Sequence, residues 1–115
     1  MSGRVDVGVM YGELVWSPRY IAYEIWRRGP APAAPQERRD SMRLFRKLCD
    51  DLFTRDRART TEERLAAIEE ALFGEAADPE LVRAFQRCWP SPELAEAVIQ
   101  SGRRAYEIHR GGESA

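Results

Sequence analysis

The strongest constraint on the fold of this chain is a signal found at three places, where a residue with a side-chain oxygen directly precedes a proline. The three pairs are Ser17-Pro18, Asp78-Pro79 and Ser91-Pro92. The oxygen accepts a hydrogen bond from a free amide of the first helical turn, and proline at the first helical position gives up no hydrogen bond. The pairs therefore predict helices at about 18–28, 79–89 and 92–109.

The spacing of apolar residues predicts two more helices in the middle of the chain. Between about 36 and 54, apolar residues recur at the three- and four-residue intervals of a helix that buries one face. These residues are Met42, Phe45, Leu48, Cys49, Leu52 and Phe53. A second stripe predicts a helix over about 61–73, which Thr60 or Thr61 caps. Its apolar residues are Leu65, Ile68 and Leu72.

The two ends of the chain leave an alternative open. Residues 4–16 begin with the alternation of apolar and other residues that is typical of a strand, and they predict an extended piece or a short hairpin. If the last helix breaks near Gly102, residues 104–109 become a strand that pairs with residues 5–10, and the fold is α+β. A continuous apolar stripe favours one helix instead. The stripe consists of Leu94, Val98, Ala105 and Ile108.

We therefore predict an all-α protein, a compact bundle of four to five short helices with a short extended N-terminal segment. That segment covers residues 1–16, the helical bundle covers 17–110, and 111–115 form a flexible tail. The 115 residues suit one domain, and 43% hydrophobic and 32% charged residues are typical of globular proteins.

Composition also indicates a compartment. No apolar run approaches the roughly 20 residues that span a bilayer, and the first residues lack the apolar core of a secretory signal. Cys49 and Cys88 each fall on the apolar side of a predicted helix, where a reduced thiol packs as a small hydrophobe. We therefore expect a cytoplasmic protein with two free thiols and no contact with membranes.

The residues that carry catalysis or bind metals are too few and too scattered to predict an active site. His109 is the only histidine and lies beside the C-terminal end, so a Ser-His-Asp or Cys-His set would depend on a poorly held residue. Paired carboxylates are adjacent in sequence, and adjacent residues of a helix point about 100° apart. We predict no catalytic residue, no cofactor and no metal. Catalysis is not excluded, but the sequence favours a protein without it.

Arginines form the first candidate surface, because a helical stripe and the loop after it supply six of them. They are Arg39, Arg43 and Arg46 on the helix and Arg55, Arg57 and Arg59 in the loop. Such an array predicts contacts to an anionic partner, as when a protein follows a phosphate backbone. Four interleaved aspartates favour ion pairs within the fold or a protein partner instead. They are Asp40, Asp50, Asp51 and Asp56.

Aromatic residues form the second candidate surface, at the N-terminal side of the chain. They are Tyr11, Trp16, Tyr20, Tyr23 and Trp26. Apolar residues of the first helix point in every direction, so this helix must be covered on more than one side. It is either the central helix of the bundle or part of a protein interface, where aromatic and arginine side chains dominate the binding energy.

These observations predict a non-catalytic protein–protein interaction protein: an accessory, adaptor or regulatory subunit that self-associates through the aromatic first helix. The expected partner is another protein, a second copy of this chain, or both. The alternative is a nucleic-acid-binding regulator that uses the arginine-rich helix and loop, although the net charge of −1 does not favour it.

Overall fold

The computed structural model describes residues 17–114, and within this range every regular element is an α-helix. The helices are α1 (Pro18–Arg28), α2 (Gln36–Arg55), α3 (Thr61–Phe73), α4 (Pro79–Gln86) and α5 (Pro92–Ser114). The all-α prediction is confirmed, and since residues 104–109 lie inside α5 the α+β alternative is wrong. The predicted N-terminal segment 1–16, with Tyr11 and Trp16, lies outside the described residues.

The helices begin where the capping residues predict. The hydroxyls of Ser17 and Ser91 and the carboxylate of Asp78 accept hydrogen bonds of 3.0 to 3.2 Å from first-turn amides. At α3 the amide of Glu63 donates to the Thr60 hydroxyl at 3.1 Å, while the Thr60 amide donates back to the Glu63 carboxylate at 2.9 Å. Each cap stabilises its helix by about 1 kcal/mol.

Two helix ends differ from the prediction. Helix α4 ends at Gln86, because the chain tightens into a turn in which the Trp89 amide donates to the Gln86 carbonyl at 3.3 Å. Pro90 disfavours helical geometry for Trp89, the residue before it. Helix α5 instead continues to Ser114, across the start of the predicted tail at 111–115. Glycines there cost a helix up to about 1 kcal/mol each relative to alanine, but they do not prevent it.

Helix α1 packs against α2, α3 and α5, so it is covered on more than one side. Ala22 and Tyr23 lie in the core, whereas Tyr20 and Trp26 are partly buried at its edge. The buried Glu24 carboxylate accepts hydrogen bonds from the neighbouring arginines of the same helix. Most of the aromatic helix is therefore core, and Trp26 at its C-terminal end belongs to the surface described below.

Gly102 does not break α5 but allows it to approach α3. A Cβ atom at this position would lie 2.4 Å from Cε1 of Phe73, so only glycine leaves room for the ring. The main core lies between α2, α3, α4 and α5. Its fully buried large side chains include Phe45, Ile68, Leu72, Leu81, Phe85, Val98 and Ile99.

Candidate functional site: an arginine–tryptophan cleft

A cleft of about 380 Å³ lies where the end of α1, the end of α2 with its following loop, and the start of α3 meet. We call it the arginine–tryptophan cleft. Its walls are Trp26, Asp50, Phe53, Thr54, Arg57, Ala58, Arg59 and Arg64. Three arginines face one aspartate in this lining, which leaves an excess of two positive charges.

The loop after α2 has a defined backbone geometry that places two arginines at the cleft. The Ala58 amide donates to the Phe53 carbonyl at 2.9 Å, and the Arg57 amide donates to the Thr54 carbonyl at 3.3 Å. These bonds form a Schellman motif, in which the residue after the helix cap adopts a left-handed conformation and is usually glycine. Here that residue is Arg57, with φ of 55°. A non-glycine residue costs about 1–2 kcal/mol in this conformation.

Ala58 anchors the loop between the two arginines. Ala58 is 7% exposed and belongs to the core cluster. Phe53, whose carbonyl accepts the hydrogen bond from the Ala58 amide, belongs to the same cluster. This apolar contact commonly accompanies a Schellman motif. Arg57 and Arg59, on either side of Ala58, are exposed. The backbone of the loop is thus held by the core while two guanidinium groups remain accessible.

Trp26 is fixed on several sides. Its indole Nε1 donates to the Asp50 carboxylate at 2.8 Å, and the Arg46 side chain donates to its backbone carbonyl at 2.8 Å. The Phe53 ring packs edge-on at a centroid distance of 5.0 Å, and Tyr23 lies at 5.5 Å. The indole is therefore held by packing and by a charged hydrogen-bond acceptor.

Arg64 completes the cleft from α3. Its guanidinium lies 5.3 Å from the centre of the Trp26 ring and 5.7 Å from that of Phe53. Such cation–π contacts contribute roughly 0.5–2 kcal/mol and fix the position of the charge. Its Nε atom is buried and has no hydrogen-bond partner among the described residues.

The structure divides the six predicted arginines into two groups. Arg39, Arg43 and Arg55 donate to Gln36, Asp40 and Asp56 respectively, and Arg46 donates to a backbone carbonyl. In contrast, the side chains of Arg57 and Arg59 make no ion pair or hydrogen bond with any residue of 17–114.

The cleft also joins the two surfaces that the sequence suggested separately. It brings Trp26 of the aromatic set next to Arg57 and Arg59 of the basic set. Arg64 was missed by the sequence analysis. The available signal was its position four residues before the buried Ile68, at the edge of the apolar stripe of α3, where a long side chain covers apolar surface with its stem.

Of the other predicted aromatic residues, Tyr20 and Tyr23 fall within the described range, and neither lines the cleft. Tyr23 is buried, with its hydroxyl 3.5 Å from that of Thr61, and its ring centre is 6.0 Å from that of Tyr20. Tyr20 is partly buried, and a hydrogen bond to the Glu24 carboxylate raises the pKa of its phenol. The Tyr23 hydroxyl therefore links α1 to α3, whereas Tyr20 packs at the edge of the core.

A second depression, of about 370 Å³, lies between α1, α2 and the start of α5; we call it the Trp89 groove. It is mostly apolar and includes Ile21, Ile25, Met42, Trp89, Pro90 and Leu94. The ring of Trp89 packs edge-on against Phe85 at 5.9 Å. Its Nε1 atom is buried and has no hydrogen-bond partner within the described residues.

The two thiols are unsuited to nucleophilic chemistry. Cys49 and Cys88 are free and buried, and burial raises the pKa of the Cys88 thiol to about 12 and that of Cys49 further still. Nδ1 of His109 lies 3.3 Å from the Glu69 carboxylate, at a side chain that is 53% exposed. In the described part of the chain, no three metal-ligating side chains form a group suited to an ion.

Comparison with known proteins found no matching family model, no matching curated protein and no matching solved structure. Within residues 17–114, no helix combines the length and the apolar character needed to cross a membrane.

Proposed function

We propose that this chain is a non-catalytic interaction protein, an accessory, adaptor or regulatory subunit, which binds an anionic segment of a partner protein in the arginine–tryptophan cleft. One observation carries the proposal. Trp26 and three arginines converge on one opening, and none of these arginines forms a salt bridge among residues 17–114, with the Glu63 carboxylate near Arg59 bound by backbone amides instead. Tryptophan and arginine are the residue types most enriched in the energetic centres of protein interfaces.

The geometry favours a protein partner over a nucleic acid. Proteins that bind single strands stack bases on aromatic rings. The Trp26 ring is already packed by Arg64, Tyr23 and Phe53, which leaves little of it for a base. The helical arginines that would extend a phosphate track make contacts within the chain instead.

The anionic partner segment can belong to a second copy of this chain. Residues 61–115 carry 11 acidic and 6 basic side chains, whereas residues 1–60 carry 8 acidic and 12 basic ones. This asymmetry supports association of the basic half of one copy with the acidic half of another. The predicted self-association surface also includes Tyr11 and Trp16, which lie outside the described residues. Among its described members, Tyr23 is buried, so the proposal rests on Trp26 and the partly buried Tyr20.

The thiols support the cytoplasm as the proposed compartment. Cys49 and Cys88 are both reduced in the structure and packed in the core, as is usual in compartments that keep thiols reduced.

The test is binding of a fluorescein-labelled oligoglutamate peptide, followed by fluorescence anisotropy at low and at physiological salt. We expect salt-sensitive binding that the double variant Arg57→Gln/Arg59→Gln weakens by about tenfold or more, because each lost charged hydrogen bond contributes roughly 1.5–3 kcal/mol.

The matched control is Arg43→Gln/Arg55→Gln, which removes the same charge from two arginines that lie outside the cleft and pair with aspartates. It should change the affinity by less than about threefold, since surface charges act weakly at a distance. Equal losses in the two double variants would show that only net charge matters and would contradict the proposal.

A further inference from the structure

We propose that the arginine–tryptophan cleft binds a phosphate monoester, carried on a phosphorylated side chain of the partner protein. This inference rests on the proposed function, because it names the chemistry of the anionic segment. Four features of the cleft support it: its charge, the placement of its donors, the occupation of the nearest helix N-terminus, and its size.

The charge of the cleft matches a dianion better than a carboxylate. Within the lining, Arg57, Arg59 and Arg64 face one carboxylate, that of Asp50, which already accepts the Trp26 indole hydrogen bond. A second carboxylate, that of Glu63, binds the Arg59 backbone amide outside the lining. The lining itself has an excess of two positive charges. A phosphate monoester carries about −1.5 to −2 at pH 7 and offers three acceptor oxygens. A glutamate or aspartate side chain would leave one of the positive charges unmatched.

One donor, Arg64, is held in place before a ligand arrives, and the other two arginine side chains extend from a backbone of fixed conformation. Arg64 is fixed over the rings of Trp26 and Phe53, and the backbone on both sides of the buried Ala58 is set by the Schellman motif. Planar guanidinium groups bind phosphate oxygens through paired hydrogen bonds. The left-handed conformation of Arg57 is also significant, because backbone strain in proteins concentrates at binding sites.

The anion is contacted by side chains, since a carboxylate already lies at the N-terminus of α3. The Glu63 carboxylate accepts hydrogen bonds from the amides of Arg59 and Thr60 at 2.7 and 2.9 Å, and the Glu63 amide in the first turn donates to the Thr60 hydroxyl at 3.1 Å. This carboxylate occupies the positive end of the helix, where a phosphate would otherwise bind. Selectivity for the anion must therefore come from the three arginine side chains.

The small size of the cleft and its limited aromatic surface suit a phosphorylated side chain. A volume of about 380 Å³ is at the low end of the range of ligand pockets, roughly 300–1,000 Å³. The packed Trp26 ring leaves little aromatic surface on which a base can stack. A phosphate group on a short side chain needs neither a larger volume nor a stacking surface.

The experiment compares three probes on the full chain by isothermal titration calorimetry. The first is a pool of peptides with random residues on both sides of one phosphoserine, the second is the same pool with glutamate instead, and the third is inorganic phosphate. We expect the phosphoserine pool to bind about tenfold or more tightly than the glutamate pool. Because the second phosphate pKa is about 6, this advantage should shrink at pH 5.5 relative to pH 7.5.

The variants locate the effect. Arg57→Gln/Arg59→Gln should remove the preference for phosphoserine, and Arg43→Gln/Arg55→Gln should retain it. Arg57→Lys/Arg59→Lys should reduce it, because an ammonium group cannot donate two parallel hydrogen bonds to a phosphate as a guanidinium does. The indole N–H resonance of Trp26 should shift during the titration in the wild-type protein, which shows binding at this cleft.

The other outcomes overturn the inference. Equal affinity for the phosphoserine and glutamate pools would overturn it and leave the proposed function standing. Equal affinity for inorganic phosphate and the phosphoserine pool would show that a free phosphate is the ligand. A preference that persists in Arg57→Gln/Arg59→Gln would place the site elsewhere. If no peptide binds, the proposed function fails as well.

Discussion

Two tryptophans pack against the edge of the core and differ in the hydrogen bonding of their indole N–H groups. Trp26 donates its indole N–H to Asp50 and is covered by Arg64. Trp89 rests in a mostly apolar groove, and its indole N–H is buried without a partner among residues 17–114. The comparison separates a surface organised by charge from one organised by packing. The first presents three arginine side chains around one fixed ring, whereas the groove is mostly apolar, with Glu24 and Arg28 at its edge.

The prediction with the largest expected effect tests whether the edges at Trp26 and at Trp89 are stabilised by the same core. Phe85 is fully buried and contacts Phe45, Phe73 and Trp89. Phe85→Ala should lower the free energy of unfolding by about 3–5 kcal/mol, because it leaves a cavity. Urea denaturation followed by circular dichroism measures the loss.

The control for this substitution is Ile108→Ala, at a side chain that is 66% exposed. The free energy of unfolding of this variant should stay within about 0.5 kcal/mol of the wild-type value. Tryptophan fluorescence should follow the same transition as circular dichroism. Two separate transitions would indicate that the edges unfold independently and would break the comparison.

The second prediction concerns the indole N–H groups themselves. Trp26→Phe removes a hydrogen bond to a carboxylate, whereas Trp89→Phe removes a buried donor that has no partner. Both changes remove similar ring area, so the first should cost about 1–2 kcal/mol more than the second. Urea denaturation of the two variants measures the difference. An equal or larger loss in Trp89→Phe would mean that its N–H is satisfied in solution.

The third prediction is an acid sensitivity on the Trp89 side, where Glu24 and Arg28 lie at the edge of the groove. Hydrogen bonds from Arg27 and Arg28 lower the pKa of the Glu24 carboxyl from 4.5 to about 2, although burial opposes the shift. Because the folded value lies below the ordinary one, this stabilisation is complete above about pH 5 and is lost as the pH falls toward 2.

Glu24→Gln should therefore lower the free energy of unfolding by about 1–2 kcal/mol at pH 7 and by much less near pH 2.5. The loss is modest because both arginines are largely exposed. Urea midpoints at the two pH values measure it. Asp40→Asn breaks an ion pair whose partners are both exposed and should change little at either pH. The same cost of Glu24→Gln at both pH values would rule out the proposed titration.

The smallest effect is a gain in stability on the Trp26 side. Arg57→Gly places glycine at a φ of 55° and should raise the free energy of unfolding by about 1 kcal/mol. The same change should weaken binding of the phosphoserine pool. Arg59→Gly, at the neighbouring cleft position, should weaken binding without the gain in stability. A loss of stability in Arg57→Gly would show that the arginine makes stabilising contacts in the free protein.

Most of the fold could be predicted from the sequence, because the signals that start its helices are local. A cap and a proline determine a helix start without reference to the rest of the chain, and α1, α4 and α5 begin at the predicted prolines. Helix ends were less accessible. The end of α4 depends on how Pro90 constrains Trp89, and α5 passes Gly102 because the glycine serves a contact with Phe73 rather than a break.

Only parts of the cleft could be predicted from the sequence. Trp26, Arg57 and Arg59 were each named as candidates, but they were assigned to separate surfaces because about thirty residues lie between α1 and the loop. Their convergence depends on how α1 packs against α2 and α3, which no local pattern encodes. The same packing decides which arginines are paired, since alternating charges in the sequence do not distinguish Arg55 from Arg57.

The burial of the two thiols makes them reporters of motion in the core. Cys49 on α2 and Cys88 just after α4 are almost wholly inaccessible, so an alkylating reagent reacts with them only after this part of the core opens. The labelling rate under native conditions then measures how often the α2–α4 contact separates, much as amide hydrogen exchange does for backbone groups. Each cysteine gives its own labelling rate, so the chain contains two intrinsic probes for the opening of its core.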